Sequence, residues 1–271
     1  MKTLIKFLWF IKRGFFTWIS YKWMVLMNFL TWIMQVLWLY FLGKLGLNAV
    51  EFQRYNVNFF SFIIIGFIFE SFSSASIYGF RDALYTEQVE GTLESALMST
   101  TSLSVYAIGQ GIWRFCKAGI GSLVIIITSL LLGMKITISL GNILSLIPFF
   151  IIAIISLMGL GIASSGISIV IKQGDPLMFA ITWGNRLVTG VYYPVSILPS
   201  FLQMVSKIFP LTYALDGLRL ILFNGYTLFH PEVFKNFIIL FLFCIILIPL
   251  GLKLFEWGYE KARKEGTLAF F

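Results

Sequence analysis

Two ionisable residues stand inside long apolar runs of this 271-residue chain, Glu70 and Arg186. Glu70 lies thirteen and eight residues from the ends of its run and Arg186 nine and seven, which is near mid-depth for a run that crosses a bilayer. A lone charge at that depth costs roughly 2.5–3.5 kcal/mol on insertion scales. Two of opposite sign at similar depth imply a pair or a shared wet cavity. Pairing would set their two runs side by side. The pair is then either a polar contact on a translocation path or a structural tie within a helix bundle.

Other chemistry is sparse. His230 is the sole histidine, so a helical His-Glu-x-x-His zinc site is excluded. Gly43-Lys44 is followed by Leu45, which rules out a phosphate loop there, and no Asp-Asp-x-x-Asp cluster is present. Cys116 and Cys244 fall in or beside apolar runs and read as small apolar filler. No residue set of this chain is expected to be catalytic, to hold a metal or to bind a cofactor. An intramembrane enzyme would have to work with unpaired Ser or Thr. A proton- or sodium-coupled carrier would be expected to bury more carboxylates than Glu70.

Two polar segments carry further candidates. Residues 81–97 read RDALYTEQVEGTLESAL. On a helical wheel Tyr85, Val89, Leu93, Ala96 and Leu97 share one side, with Glu87, Glu90 and Glu94 beside them. An acidic rim gains nothing from an anionic lipid surface. It gains from a basic partner protein, or it merely keeps a loop soluble. Gly91 weakens this helix by roughly 1 kcal/mol relative to Ala. Further on, Asp216 and Arg219 lie three apart on a short helix for which Thr212 is a plausible cap. They are expected to form a local ion pair or to close an outer gate.

The elements that position these residues follow from hydropathy. Hydrophobic residues make up 59% of the chain and charged residues 12%, well under the roughly 25% charged of a soluble domain. Spans are expected at residues 24–43, 57–78, 114–134, 143–171, 177–193 and 237–255. Residues 1–22 mix Lys and Arg with Trp9, Phe10, Phe15, Phe16, Trp18 and Tyr21 and suit an interfacial amphipathic helix. Lys12 and Arg13 interrupt the start, so no cleaved signal peptide is expected. Pro194, Pro199 and Pro210 divide residues 194–234 into pieces too short to cross, which suits re-entrant or interfacial helices.

The net charge of +8 is placed at the ends of apolar runs, as in cytoplasmic flanks, and not along a nucleic-acid-binding face. With the N-terminus inside, inner segments hold thirteen Lys and Arg and outer segments six. Both termini are therefore expected in the cytoplasm of a multi-pass protein of the cell membrane.

Glu87-Gln-Val-Glu90-Gly91-Thr92-Leu93-Glu94, followed by Leu97 and a Ser/Thr stretch, resembles the loop after the second helix of ABC-2 type exporter permeases. Gly190-Val-Tyr-Tyr-Pro194-Val-Ser-Ile-Leu198-Pro199 and Phe209-Pro210-Leu211-Thr212-Tyr213-Ala-Leu-Asp216-Gly-Leu-Arg219 resemble the outer region after the fifth helix of that family. Length, number of spans and orientation agree over nearly the whole chain. The resemblance implies an all-α integral membrane fold, one domain over residues 1–271, with six transmembrane helices and a coupling helix over residues 81–97. It implies a homodimer that binds two copies of a separate ATPase, which uses ATP and Mg. Glu87, Glu90, Gly91, Thr92, Leu93 and Glu94 would then seat in the ATPase, and Glu70 and Arg186 would border the path. The implied activity is export of an amphiphilic or hydrophobic substrate, a drug or lipid, with a lipid-linked polysaccharide as the alternative. The coupling role predicts that Glu90→Lys with Glu94→Lys releases the ATPase in co-purification while the permease keeps its unfolding midpoint. Retained ATPase and full transport would refute it.

Overall fold

A computed structural model describes residues 2–44, 54–55, 57–89, 103–137, 139–171 and 174–265. Among them the chain is helical: α1 (Lys2–Ser20), α2 (Lys22–Lys44), α3 (Phe59–Val89), α4 (Leu103–Leu131), α5 (Leu140–Ile171), α6 (Gly174–Val188), α7 (Ser200–Ser206), α8 (Pro210–Asn224) and α9 (Pro231–Lys264). In lipid a helix satisfies its own backbone polar groups, which is why an apolar chain of this kind folds so. Among the described residues five helices are long and apolar enough to cross a membrane: α2, Phe59–Gly79 of α3, Gly111–Leu131 of α4, Leu140–Ser168 of α5 and α9.

The segment expected as the fifth span, residues 177–193, is α6 of 15 residues. At 1.5 Å per residue it is about 22 Å long, short of the roughly 30 Å hydrocarbon layer. Packing explains its course. Gly159 of α5 faces Leu247 and Ile248 of α9, and Gly166 faces Leu254 and Phe255. The two helices therefore run parallel, and the chain between them must return to the end where α5 began. Helix α6 and the turn after it make that return.

Helix α3 is the centre. Of its span 78% is buried, against 11–33% for the other four. Small residues allow this closeness. A Cβ at Gly66 would strike the Val191 carbonyl, one at Gly161 would strike Ser76, and the Ser76 hydroxyl donates to the Leu157 carbonyl of α5. The helix does not stop at the membrane boundary. Its sequence has no breaker between Gly79 and Val89, so the first half of the expected coupling helix is the last turns of α3. Residues 90–97 lie outside the described residues. Helix α4 likewise starts at Leu103, well before the expected Arg114.

Helix α1 packs alongside α4 at the same end. Trp18 is buried, stacks with Phe29 and meets Trp113 at a tilt, while Lys12 and Arg13 are exposed. Gly14 makes room for Trp113 and Gly109 for Phe10. At the opposite end α8 lies between α5 and α9. Gly217 passes under Phe149, and Gly225, at φ 76°, ends the helix in the left-handed conformation favoured at that position.

The α5–α9 contact gives a stability prediction. Gly166→Leu or Gly251→Leu should destabilise the protein by at least ~1–3 kcal/mol through overpacking. Gly119→Leu should be near neutral, since a Cβ there meets nothing within 4 Å. Thermal unfolding in detergent reads the difference, and equal effects at the three sites would refute the packing.

Candidate functional site: an intramembrane ion pair above a polar cavity

Glu70 sits midway along α3, and Arg186 sits in the last turn of α6. The helices run antiparallel, and the two side chains meet. Arg186 Nη2 lies 2.5 Å and Nε 2.8 Å from Glu70 Oε1. The Ser74 hydroxyl, one turn along α3, donates to the same oxygen at 2.5 Å. Arg186 also lies over the Trp183 ring, 5.3 Å from its centroid. Glu70 is 10% exposed and Arg186 26%. The carboxylate is enclosed and the guanidinium reaches the protein edge. Beside them Asn185 Nδ2 donates to Ser73 Oγ at 2.7 Å. Two consecutive α6 residues therefore read the polar face of α3.

That face continues. Glu70, Ser71, Ala75, Gly79 and Asp82 recur at helical spacing and line a cavity of about 750 Å³. From Glu70 to Asp82 is twelve residues, about 18 Å of helix. The remaining walls come from α1, α2 and α4 and include Trp18, Trp32 and Trp113 with Arg13, Arg114 and Lys117. At its shallow end Arg114 Nη2 bonds Asp82 Oδ2 at 2.8 Å. The cavity runs from this second ion pair to the first.

The outer residues are arranged otherwise than expected. Asp216 and Arg219 do not form a local pair. Asp216 accepts from Tyr55 Oη at 2.6 Å and Asn236 Nδ2 at 2.8 Å, and Arg54 lies 3.5 Å away. Arg54 also meets Glu232 at 2.9 Å. Arg219 points the other way, into the bundle, and is 2% exposed. Its Nη1 donates to the Gly190 carbonyl at 2.8 Å, and its Nη2 to the carbonyls of Phe62 at 3.1 Å and Val191 at 3.3 Å. The guanidinium lies 3.4 Å from the Phe62 ring centroid. Gly190 and Val191 follow the C-terminus of α6, where carbonyls lack intrahelical donors, and a planar guanidinium meets several acceptors at a time. Burial pulls its pKa down to about 10, against the attraction of Tyr55 and Asp216, so it stays cationic at neutral pH. Burial, with the negative charge of Asp216, pushes the Tyr55 phenol up and keeps it a donor.

Thr212 does not cap α8. Phe209 holds that position with Pro210 at N1, and the Thr212 hydroxyl donates to the Ser206 carbonyl at 2.6 Å. Pro194 precedes the 3-10 turn Val195–Ile197, and Pro199 precedes α7. Of the coupling candidates, Glu87 falls on the backbone of α3. Glu90, Gly91, Thr92, Leu93 and Glu94 lie outside the described residues. Sequence reasoning missed the Arg114–Asp82 pair. Its signal was available, since Asp82 and Arg114 stand at the facing ends of consecutive apolar runs.

Apolar helices packed around one polar face define an α-helical, multi-pass membrane protein. Residues 6–223 match the family profile of the ABC-2 type transporter, and the chain belongs to that family. It is a transport component and not the ATPase with which permeases of this family normally pair. No match was found among curated proteins.

The mid-depth pair gives a double-mutant test. Glu70→Gln or Arg186→Gln alone should cost ~2–3 kcal/mol, below the figure for a fully enclosed pair because Arg186 is partly exposed. The double variant should recover most of that loss in thermal unfolding. Additive losses would show that the two side chains do not interact.

Proposed function

We propose that this chain is the permease half of an ATP-driven exporter that moves an amphiphilic or hydrophobic substrate, a drug or lipid, outward. The observation that carries the reading is the cavity between the Asp82–Arg114 and Glu70–Arg186 pairs. Its aromatic and cationic walls suit a molecule with one polar and one apolar end. It stops at mid-depth against an ion pair that must part, or be bypassed, for passage to continue.

Charge placement supports the direction of the shallow end. Arg114, the α1 residue Arg13 and the basic last turn of α9 with Lys261, Arg263 and Lys264 gather at one end of the bundle. By the positive-inside rule that end is cytoplasmic, with both termini, at the plasma membrane. The partner ATPase docks there, two copies on a permease homodimer, and binds ATP and Mg in its own sites. The coupling residues are Glu87, Glu90, Gly91, Thr92, Leu93 and Glu94.

Helix α3 supplies the mechanical link. It is continuous from Phe59 to Val89, so Glu87 and Glu70 lie on one rod about 25 Å apart. A tilt imposed at the Glu87 end moves Glu70 against Arg186. The outer segments with Pro194, Pro199, Asp216 and Arg219 form the exit gate, where the Arg54–Asp216–Glu232 ties are half-exposed and can exchange with water.

Reconstitution with a candidate ATPase in lipid tests the reading. The ATPase should co-purify, and amphiphilic compounds should raise its hydrolysis rate. Glu70→Gln and Arg186→Gln should each lower transport by about tenfold or more while leaving ATPase association intact, an effect of the order expected from losing a charged contact. Absence of any associating ATPase, or wild-type transport in both variants, would overturn it.

A further inference from the structure

The charges lining the cavity do not cancel. Glu70 is held by Arg186 and Asp82 by Arg114. Arg13 of α1 and Lys117 of α4 line the same cavity, and among the described residues neither lies within ion-pair distance of a carboxylate. Lys117 is half-buried, so its charge is not simply left to bulk water. Trp18, in the same wall, is 6% exposed, and its indole N–H has no hydrogen-bond partner. Among the described residues these two cations therefore have no carboxylate of their own.

The deep half differs. Trp32, Gly121 and Ile125 line it, and Ile125 lies eight residues past Lys117, about 12 Å deeper along α4. A cationic mouth over a deep half that joins the apolar wall of Trp32 and Ile125 to the polar Gln35, Ser71 and Glu70 fits an amphiphile. The cavity, of about 750 Å³, falls within the range of small-ligand sites, roughly 300–1,000 Å³. It has room for a headgroup and the first part of a chain, not for a whole two-chain lipid.

We propose that this cavity binds the phosphate-bearing headgroup of an anionic amphiphile, with the phosphate between Arg13 and Lys117 and the chain directed past Trp32 toward Ile125. Phosphate oxygens supply the counter-charge that Arg13 and Lys117 lack, in charge-assisted bonds. A zwitterionic headgroup would carry its own cation toward Arg13 and Lys117 and be disfavoured. Anionic lipid is concentrated in the leaflet that the cationic end of the bundle faces. The proposal deepens the export reading by naming its substrate class, and rests on that reading only for transport. Binding is measurable without it.

Native mass spectrometry of the full-length permease in neutral detergent tests the site. The probes are phosphatidylglycerol, phosphatidylcholine with the same chains, and inorganic phosphate. Phosphatidylglycerol should be retained at least about tenfold more tightly than phosphatidylcholine, and an equal concentration of inorganic phosphate should not displace it. Lys117→Gln and Arg13→Gln should each reduce that retention by roughly tenfold. Lys117→Arg, which keeps the charge, should preserve it and shows that the position tolerates change. Equal binding of the two lipids, or wild-type retention in both Gln variants, overturns the proposal. Displacement by inorganic phosphate assigns the site to the free anion and overturns the lipid. Selective retention by a permease that recruits no ATPase supports the site and counts against the export reading alone.

Discussion

Three arginines hold helix α3 at three depths. Arg219 of α8 binds the Phe62 carbonyl near its start, Arg186 of α6 binds Glu70 at its middle, and Arg114 of α4 binds Asp82 beyond its span. The bilayer makes these contacts decisive. Between apolar helices in lipid there is no hydrophobic driving force, so position is set by close packing and by polar groups that have no alternative partner. An unpaired Glu70 at mid-depth would be costly in any other arrangement of the bundle. The arrangement that brings Arg186 to it also fixes the neighbour and the rotation of α6.

The outer and middle ties are not independent. Gly190 follows Arg186 by four residues and ends α6 in a turn at φ 88°, a conformation that L side chains rarely adopt. That turn directs the Gly190 and Val191 carbonyls to Arg219. One short stretch therefore presents a cation to α3 at mid-depth and two acceptors to α8 at the outer end. A shift of α6 along its axis strains both sets of contacts together. The Arg114–Asp82 pair lies on a different pair of helices and is coupled to them only through the rod of α3. Ties at the two ends of one stiff element let a change at either be felt at the other, with Glu70 between them.

Much of this was legible in the sequence, and the rest was hidden for physical reasons. Composition pointed to an all-helical membrane protein because a bilayer imposes length and polarity on whatever crosses it. Glu70 and Arg186 stood out because a charge in an apolar run needs a partner. Arg219 did not, since its partners are backbone carbonyls, which every residue carries and no residue type announces. The three-residue spacing to Asp216 invited a local pair, but Asp216 is claimed from elsewhere by Tyr55 and Asn236. The short α6 was drawn too long because Thr189-Gly190-Val191 is as apolar as a helix end. Its termination depends on the left-handed turn, which hydropathy does not register. The wheel over residues 81–97 separated a coupling helix from the second span. The chain from Gly79 to Val89 contains nothing that would break a helix, and α3 runs on through Val89.

Burial within the protein does not measure how firmly a membrane helix is held. Only 17% of the α9 span is buried and 11% of the α2 span, yet their contacts differ in kind. Helix α9 meets α5 where Gly251 lies against Gly159 and Gly258 against Gly166, seven residues apart on both helices. Backbone touches backbone there, and the repeat matches a left-handed crossing. Helix α2 meets its neighbours through large side chains, Trp32 over Gly121 and Phe60 at Gly43. It also forms a wall of the cavity, where part of one face has no protein against it. The α5–α9 pair is thus the close-packed part of the bundle, and the cavity wall is built from the looser part.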